Sequence, residues 1–245
     1  MTTTKLTATQ VQYYEPSKRI FADSGLLAKW PIIGLIMFIF GSLAFGGLTY
    51  NLFAHGPLLK WDNALANTLP AIGLKSPTFI RVLMEAGYYI GNEVIIVLLV
   101  LLGFYFIVKQ YWHEFIMMAV GMAGGSALFL SLSHFFARQR PPTQIWNILH
   151  IPGFPSGHAI GVVIFYGFLA YLLAPNIQSS FWKVVVIATA ILIILFVGFS
   201  RVFTGGHYLT DVLAGYAVGI AWFGMIFTLL ELYFQKRRSL YVKKG

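Results

Sequence analysis

The chain has 245 residues, 58% of them hydrophobic and only 10% charged, against about 25% charged in an ordinary soluble domain. That balance excludes one or two water-soluble domains and points to a single polytopic membrane domain. The net charge of +9 is no nucleic-acid footprint, because 9 of the 17 Lys and Arg lie in the two terminal tails, where they suit anionic cytoplasmic headgroups. Nucleic acid is therefore not expected as a partner. With no cysteine in the chain, disulfides, zinc–thiolate sites and thiol catalysis are excluded.

In chain order, a polar tail over 1–30 precedes the first apolar segment, Pro31 to Ala54. That segment starts too late for a cleavable signal and is long enough to span. Five more apolar segments follow, Tyr89 to Val108, Phe115 to Phe136, His158 to Ala174, Trp182 to Phe199 and Tyr208 to Phe234. Each is long enough to cross a hydrocarbon core of about 30 Å at 1.5 Å per residue. The expected fold is all-α, a six-span helix bundle over 31–235 with a basic tail over 236–245. With the N-terminus inside, eleven Lys and Arg fall on the cytoplasmic side and six on the other, so both termini are expected in the cytoplasm.

The stretch from His55 to Gly87 is long for a connector. Trp61 to Leu69 and Pro77 to Ala86 read as short amphipathic helices, lying in the outer interface or simply connecting two spans. Gly121 with Gly125, and Gly215 with Gly219, place small residues four apart, a spacing that lets membrane helices approach closely.

Ionisable groups beside spans are costly and so mark function. Here they gather at one face: Arg138 and Arg140 end the third span, His158 starts the fourth, Arg201 ends the fifth, and His207 and Asp211 start the sixth. Pro141 and Pro142 stop the third span and leave Arg140 facing outward, with a planar guanidinium suited to phosphate. In Pro155-Ser156-Gly157-His158, Ser156 is a candidate N-cap. The helix N-terminus behind it would face an anion, Gly157 allows close backbone approach, and His158 could give a proton to a leaving oxygen. His207 and Asp211 are i and i+4 on one helix face, so a carboxylate can orient an imidazole that is competent to attack phosphorus. His134 and His150 read as interfacial or pocket-lining.

These three segments resemble the signature motifs of the type-2 phosphatidic acid phosphatases, the lipid phosphate phosphatase superfamily. The family pattern is Lys, six residues, Arg-Pro; then Pro-Ser-Gly-His; then Ser-Arg, five residues, His, three residues, Asp. The second and third match in full at Pro155 to His158 and Ser200 to Asp211. The first keeps Arg140-Pro141 but carries Ser133 in the lysine position, which offers a neutral hydrogen bond without charge; Arg138 or His134 is then expected to substitute.

The resemblance implies a lipid phosphatase working through a phosphohistidine, with His207 as nucleophile, Asp211 supporting it and His158 as acid. Arg140, Arg201, Ser156, Gly157, Ser133 and Arg138 would hold the phosphate. It also implies no metal and no cofactor, and a lipid phosphate as substrate: undecaprenyl pyrophosphate, phosphatidylglycerol phosphate or phosphatidic acid. The expected location is a bacterial inner membrane, surrounded by membrane lipids, with the site on the periplasmic or extracellular face. The same residues would serve a lipid phosphotransferase, and a non-catalytic phospholipid-binding or transport protein could use the same scaffold. The sequence assigns no oligomeric state.

Overall fold

The computed structural model describes residues 30–142 and 151–242. Residues 1–29 of the expected N-terminal tail, His150, and the basic Lys243 and Lys244 lie outside them. The described residues form helices α1 (Trp30–Phe53), α2 (Leu58–Lys75), α3 (Thr78–Gly91), α4 (Glu93–Lys109), α5 (Trp112–Phe136), α6 (Gly157–Leu173), α7 (Ser180–Phe203) and α8 (Leu209–Val242). No strand occurs among them.

Six helical stretches are long and apolar enough to cross a membrane: α1, α3 with α4 taken as one length from Thr78 to Lys109, α5, α6, α7 and α8. The all-α, six-span expectation is met, and the chain is an integral membrane protein. The connector differs from its sequence reading. α2 is twice the length expected, and the segment from Pro77 belongs to the second span. That span is interrupted at Asn92, whose φ of −133° and ψ of −76° are not helical. The apolar count started at Tyr89 because Arg81 and Glu85 interrupt the hydrophobic run, yet a helix of this length can carry its charges at the interface. α8 likewise runs through residues read as the C-terminal tail.

α6 and α8 form the centre. Their most apolar windows are 56% and 61% buried, against 11 to 22% for the other four spans. Glycine brings the pair together. A Cβ on Gly215 would lie 2.6 Å from the Ser156 carbonyl oxygen and 2.7 Å from the Ala159 Cβ, and one on Gly219 would lie 2.9 Å from the Val163 Cβ. Gly121 and Gly125 of α5 face Ile164 of α6, so both small-residue pairs pack helices as their spacing suggested. α1 attaches to the outside of α8, with Gly41 close against the backbone of Ala217 and Ala221. The apolar side chains on the remaining surface, such as Leu43, Val100 and Phe104, are exposed, as expected where the surrounding solvent is lipid.

α4 and α5 meet near their connection, where Gly103 faces Phe115 and Met118. Toward the other end they frame a cavity of about 820 Å³ over α6.

Candidate active site

The three polar segments converge at the same end of the bundle, and backbone hydrogen bonds stitch them together. The Gly153 N–H donates to the Arg138 carbonyl at 2.7 Å, and the Ser156 N–H donates to the Asp211 carbonyl at 2.9 Å. Ser156 is the N-cap of α6, its hydroxyl accepting from the Ala159 N–H at 3.5 Å. The amides of Gly157 and His158 come next, and as first-turn donors they have no earlier helical carbonyl to bond. Gly157 and the His158 side chain both line the cavity.

The spacing between Arg201 and His207 has a local cause. The Arg201 carbonyl accepts from both the Gly206 N–H, at 2.9 Å, and the His207 N–H, at 3.2 Å. Gly205, at φ 71°, supplies the left-handed residue that reverses the chain there. The turn returns His207 over the end of α7, beside Arg201.

His207 is 1% exposed and its two nitrogens have distinct partners. Arg140 donates from a terminal nitrogen to Nε2 at 2.9 Å. A guanidinium cannot accept, so Nε2 carries the lone pair and Nδ1 carries the proton, which it donates to the Gly153 carbonyl at 2.9 Å. The Asp211 carboxylate lies 3.6 Å from Nδ1, beyond hydrogen-bond range. The carbonyl, not the carboxylate, thus fixes the tautomer, and Asp211 supplies charge behind it. Burial, and then the cations of Arg140 and Arg201, hold the His207 pKa well below the ordinary 6.5, partly offset by the Gly153 bond. A neutral imidazole with its Nε2 lone pair toward the cavity is a nucleophile.

Arg140 is anchored by its Nε to the Ile151 carbonyl at 2.9 Å and by a terminal nitrogen to the Gly206 carbonyl at 3.0 Å. Arg201 sits over the Tyr88 ring, 5.2 Å from its centroid, in a cation–π arrangement. The His158 ring also packs against Tyr88, tilted at 44° with the centroids 5.1 Å apart. The His158 Nε2 and the Arg201 Nε are buried with no hydrogen-bond partner among the described residues. Arg140, His158, Arg201 and His207 together form the polar end of the cavity, which continues between α4, α5 and α6 along Ile96, Leu99, Met122 and Ile164.

Two expected phosphate contacts are placed elsewhere. Ser133 is wholly buried, its hydroxyl bonded to the Leu130 carbonyl of its own helix at 3.1 Å. The sequence put it near the site but could not show which way the helix turns it. Arg138 points away from the cavity into a buried acidic pair, with one terminal nitrogen 2.8 Å from Asp62 and the other 2.5 Å from Asp211. Its charge is matched there by two carboxylates. His134 bonds the Leu130 carbonyl and is exposed.

Four residues at the site were missed in the sequence. Tyr88 and Asn92 line the cavity, Asp62 holds Arg138, and Thr210 donates its backbone N–H to Asp62 at 2.9 Å. Asp62 did carry a signal, since it lies four residues before Ala66 and eleven before Gly73, the other buried positions of α2. An acidic residue on the small-residue face of a helix is a buried acid in search of a partner.

Residues 110–234 match the PAP2 superfamily, and the chain belongs to it. Phosphatidylglycerophosphatase B of Bacillus subtilis is 27% identical over 170 residues, covering 67% of this chain and 81% of that protein. A probable sphingosine-1-phosphate phosphatase of Dictyostelium discoideum is 30% identical over 154 residues, covering 58% of this chain and 36% of that one. A lipid A 1-phosphatase of Rhizobium johnstonii is 42% identical over 73 residues, 30% of this chain and 25% of that one. The crystal structure of a transmembrane PAP2-type phosphatidylglycerolphosphate phosphatase from Bacillus subtilis superposes with a TM-score of 0.63 at 24% identity, covering 79% of this chain and 93% of that one, a likeness of fold.

Proposed function

We propose that this protein is a lipid phosphatase that hydrolyses a lipid phosphate or pyrophosphate through a phosphohistidine. One observation carries the reading: the cavity that holds the His207 Nε2, His158 and two arginines at one end runs on into an apolar trench between α4, α5 and α6. At about 820 Å³ it is near the upper end of the range of roughly 300–1,000 Å³ for small-molecule sites. Its polar end suits a phosphate and its apolar end an acyl or prenyl chain.

The chemistry follows from the atoms. Arg140 and Arg201, with the first-turn amides of α6, bind the phosphoryl oxygens and stabilise the charge that builds on them. As the phosphate arrives, Arg140 turns its N–H from Nε2 to a phosphoryl oxygen, which frees the lone pair. Nε2 attacks phosphorus, the bond to the lipid oxygen breaks, and His158 protonates that oxygen. The imidazolium formed at His207 keeps its Nδ1–H on Gly153, with Asp211 3.6 Å away as counter-charge. His158 then takes a proton from water, the oxygen of which displaces Nε2 and releases inorganic phosphate. The two guanidiniums and the helix-end amides supply the positive charge, so no metal is required.

The site faces outward from a bacterial cell membrane, with both termini inside. Undecaprenyl pyrophosphate, phosphatidylglycerol phosphate and phosphatidic acid are the substrates to compare. The test is phosphate release by purified protein in detergent with EDTA. Release that survives EDTA and vanishes in His207→Ala is expected. Activity that needs a divalent ion, or that persists in His207→Ala, overturns the mechanism. Phosphate appearing on a second lipid instead of in water identifies a phosphotransferase.

A further inference from the structure

Asp62 lies on α2, outside all three motifs and 76 residues before Arg138, yet it is 1% exposed. Its carboxylate makes three bonds to two separate elements of the site. Oδ1 accepts from the Thr210 N–H at 2.9 Å, while Oδ2 accepts from the Thr210 hydroxyl and, at 2.8 Å, from Arg138. The Thr210 N–H is a first-turn donor of α8 with no helical partner of its own, so Asp62 caps that helix from a different one. Asp211 completes the cap from within, accepting from the Tyr208 N–H at 2.9 Å, an arrangement akin to the back-bonding half of a capping box.

We infer that Asp62 is a positioning residue for phosphoryl transfer, acting through Arg138 on Asp211. This role rests on the proposed phosphatase activity and on the planarity of a guanidinium. Fixing one terminal nitrogen of Arg138 on Asp62 fixes the direction of the other. That second nitrogen meets Thr210 Oγ1 at 2.7 Å and a single oxygen of Asp211, Oδ1. The other oxygen, Oδ2, remains on the Tyr208 amide and 3.6 Å from the His207 Nδ1. Without Asp62 the fork is free to rotate and take both Asp211 oxygens, the geometry such pairs prefer. Oδ2 then turns from the imidazole, and the charge of Asp211 is spent on Arg138 when the phosphohistidine needs it. Arg138 also lies over the Tyr208 ring, 4.3 Å from its centroid, which confines the fork to one plane while Asp62 holds its end.

Asp62 touches neither substrate nor His207. Its loss should therefore lower turnover and leave substrate binding, made by Arg140 and Arg201, in place. Asp62→Asn keeps the shape and the acceptor for the Thr210 N–H but removes the charge that holds Arg138. The expected result, per folded protein by size exclusion in detergent, is a kcat lower by about 10- to 100-fold, by analogy with the loss of the outer partners that orient metal-ligating side chains. KM should stay within about threefold. In an Arg138→Met background, Asp62→Asn should change kcat by less than about threefold, since residues acting through one another are not additive. Wild-type kcat in Asp62→Asn, or losses that multiply in the double variant, overturns the role. If Asp62→Asn does not fold, Asp62→Glu serves. It keeps the charge but shifts it by one methylene, so a lowered kcat at unchanged KM supports the role and wild-type kcat refutes it. A wild-type protein that releases no phosphate from any lipid phosphate overturns both the phosphatase reading and this one; wild-type activity with an unaffected Asp62→Asn overturns this one alone.

Discussion

Replacing Gly215 by alanine puts a methyl group where α6 and α8 have no room for one. The added carbon would lie 2.6 Å from the Ser156 carbonyl oxygen and 2.7 Å from the Ala159 Cβ, whereas comfortable contacts are about 3.5–4.0 Å. Both neighbours are backbone or Cβ, so no rotamer change can relieve the overlap, and the helices must separate by roughly 1 Å. Overpacking of this kind costs about 1–3 kcal/mol. The displaced segment is the turn that carries Ser156, Gly157 and His158, seen from the helix that carries Asp211. A 1 Å error between His158 and the His207 nucleophile is expected to cost about 100-fold in turnover. Thermal denaturation in detergent and phosphate release measure the two effects. Gly46→Ala is the control, because a Cβ there meets nothing within 4 Å. A Gly215→Ala protein with wild-type melting temperature and turnover would refute the claim that this contact sets the spacing of the site.

Two other outcomes are expected. Arg140→Lys loses the fork that spans the Ile151 and Gly206 carbonyls and the His207 Nε2; since one lost transition-state donor costs about 10²–10³-fold, kcat/KM should fall by at least that much, and a smaller loss places the anion elsewhere. Burial and the flanking arginines lower the His207 pKa in the folded protein, while the unfolded chain titrates near the ordinary value of about 6.5. The unfolded state then binds more protons below that value, so the stability contributed by neutral His207 is present above pH ~6.5 and is lost as pH falls from there toward the folded pKa. Thermal midpoints from pH 7.5 to 5 should drop in the wild type and drop less in His207→Gln; equal slopes would show that His207 is not held neutral.

The legible parts of this molecule are those in which one residue type has one physical meaning. Runs of apolar residues marked the spans and Ser156 before Gly157 marked a cap, whereas the prolines after Arg140 do not end α5: it stops at Phe136, where Ala137 turns left-handed at φ 48°. Arginine was less informative. Arg140 and Arg201 read as phosphate ligands and Arg138 as a substitute for the missing lysine, and only the partners around each one separate Arg138, with two carboxylates, from the two that face the cavity. The direction in which Ser133 faces was illegible for a related reason: position along a helix does not give azimuth when the whole helix is apolar. Asp62 showed its burial through its place on the small-residue face of α2 but not its partners, which are far away in sequence.

α8 has 34 residues and so extends about 50 Å at 1.5 Å per residue, some 20 Å more than a hydrocarbon core of about 30 Å. One rigid rod therefore joins Asp211 at one membrane surface to the basic end beyond the other. A helix of that length answers a thinner or thicker bilayer by tilting, and because α6 lies against its glycines, tilt is transmitted to the turn that holds His158. Turnover in vesicles should accordingly depend on acyl-chain length as a mechanical variable, separate from its effect on the lipid being cleaved.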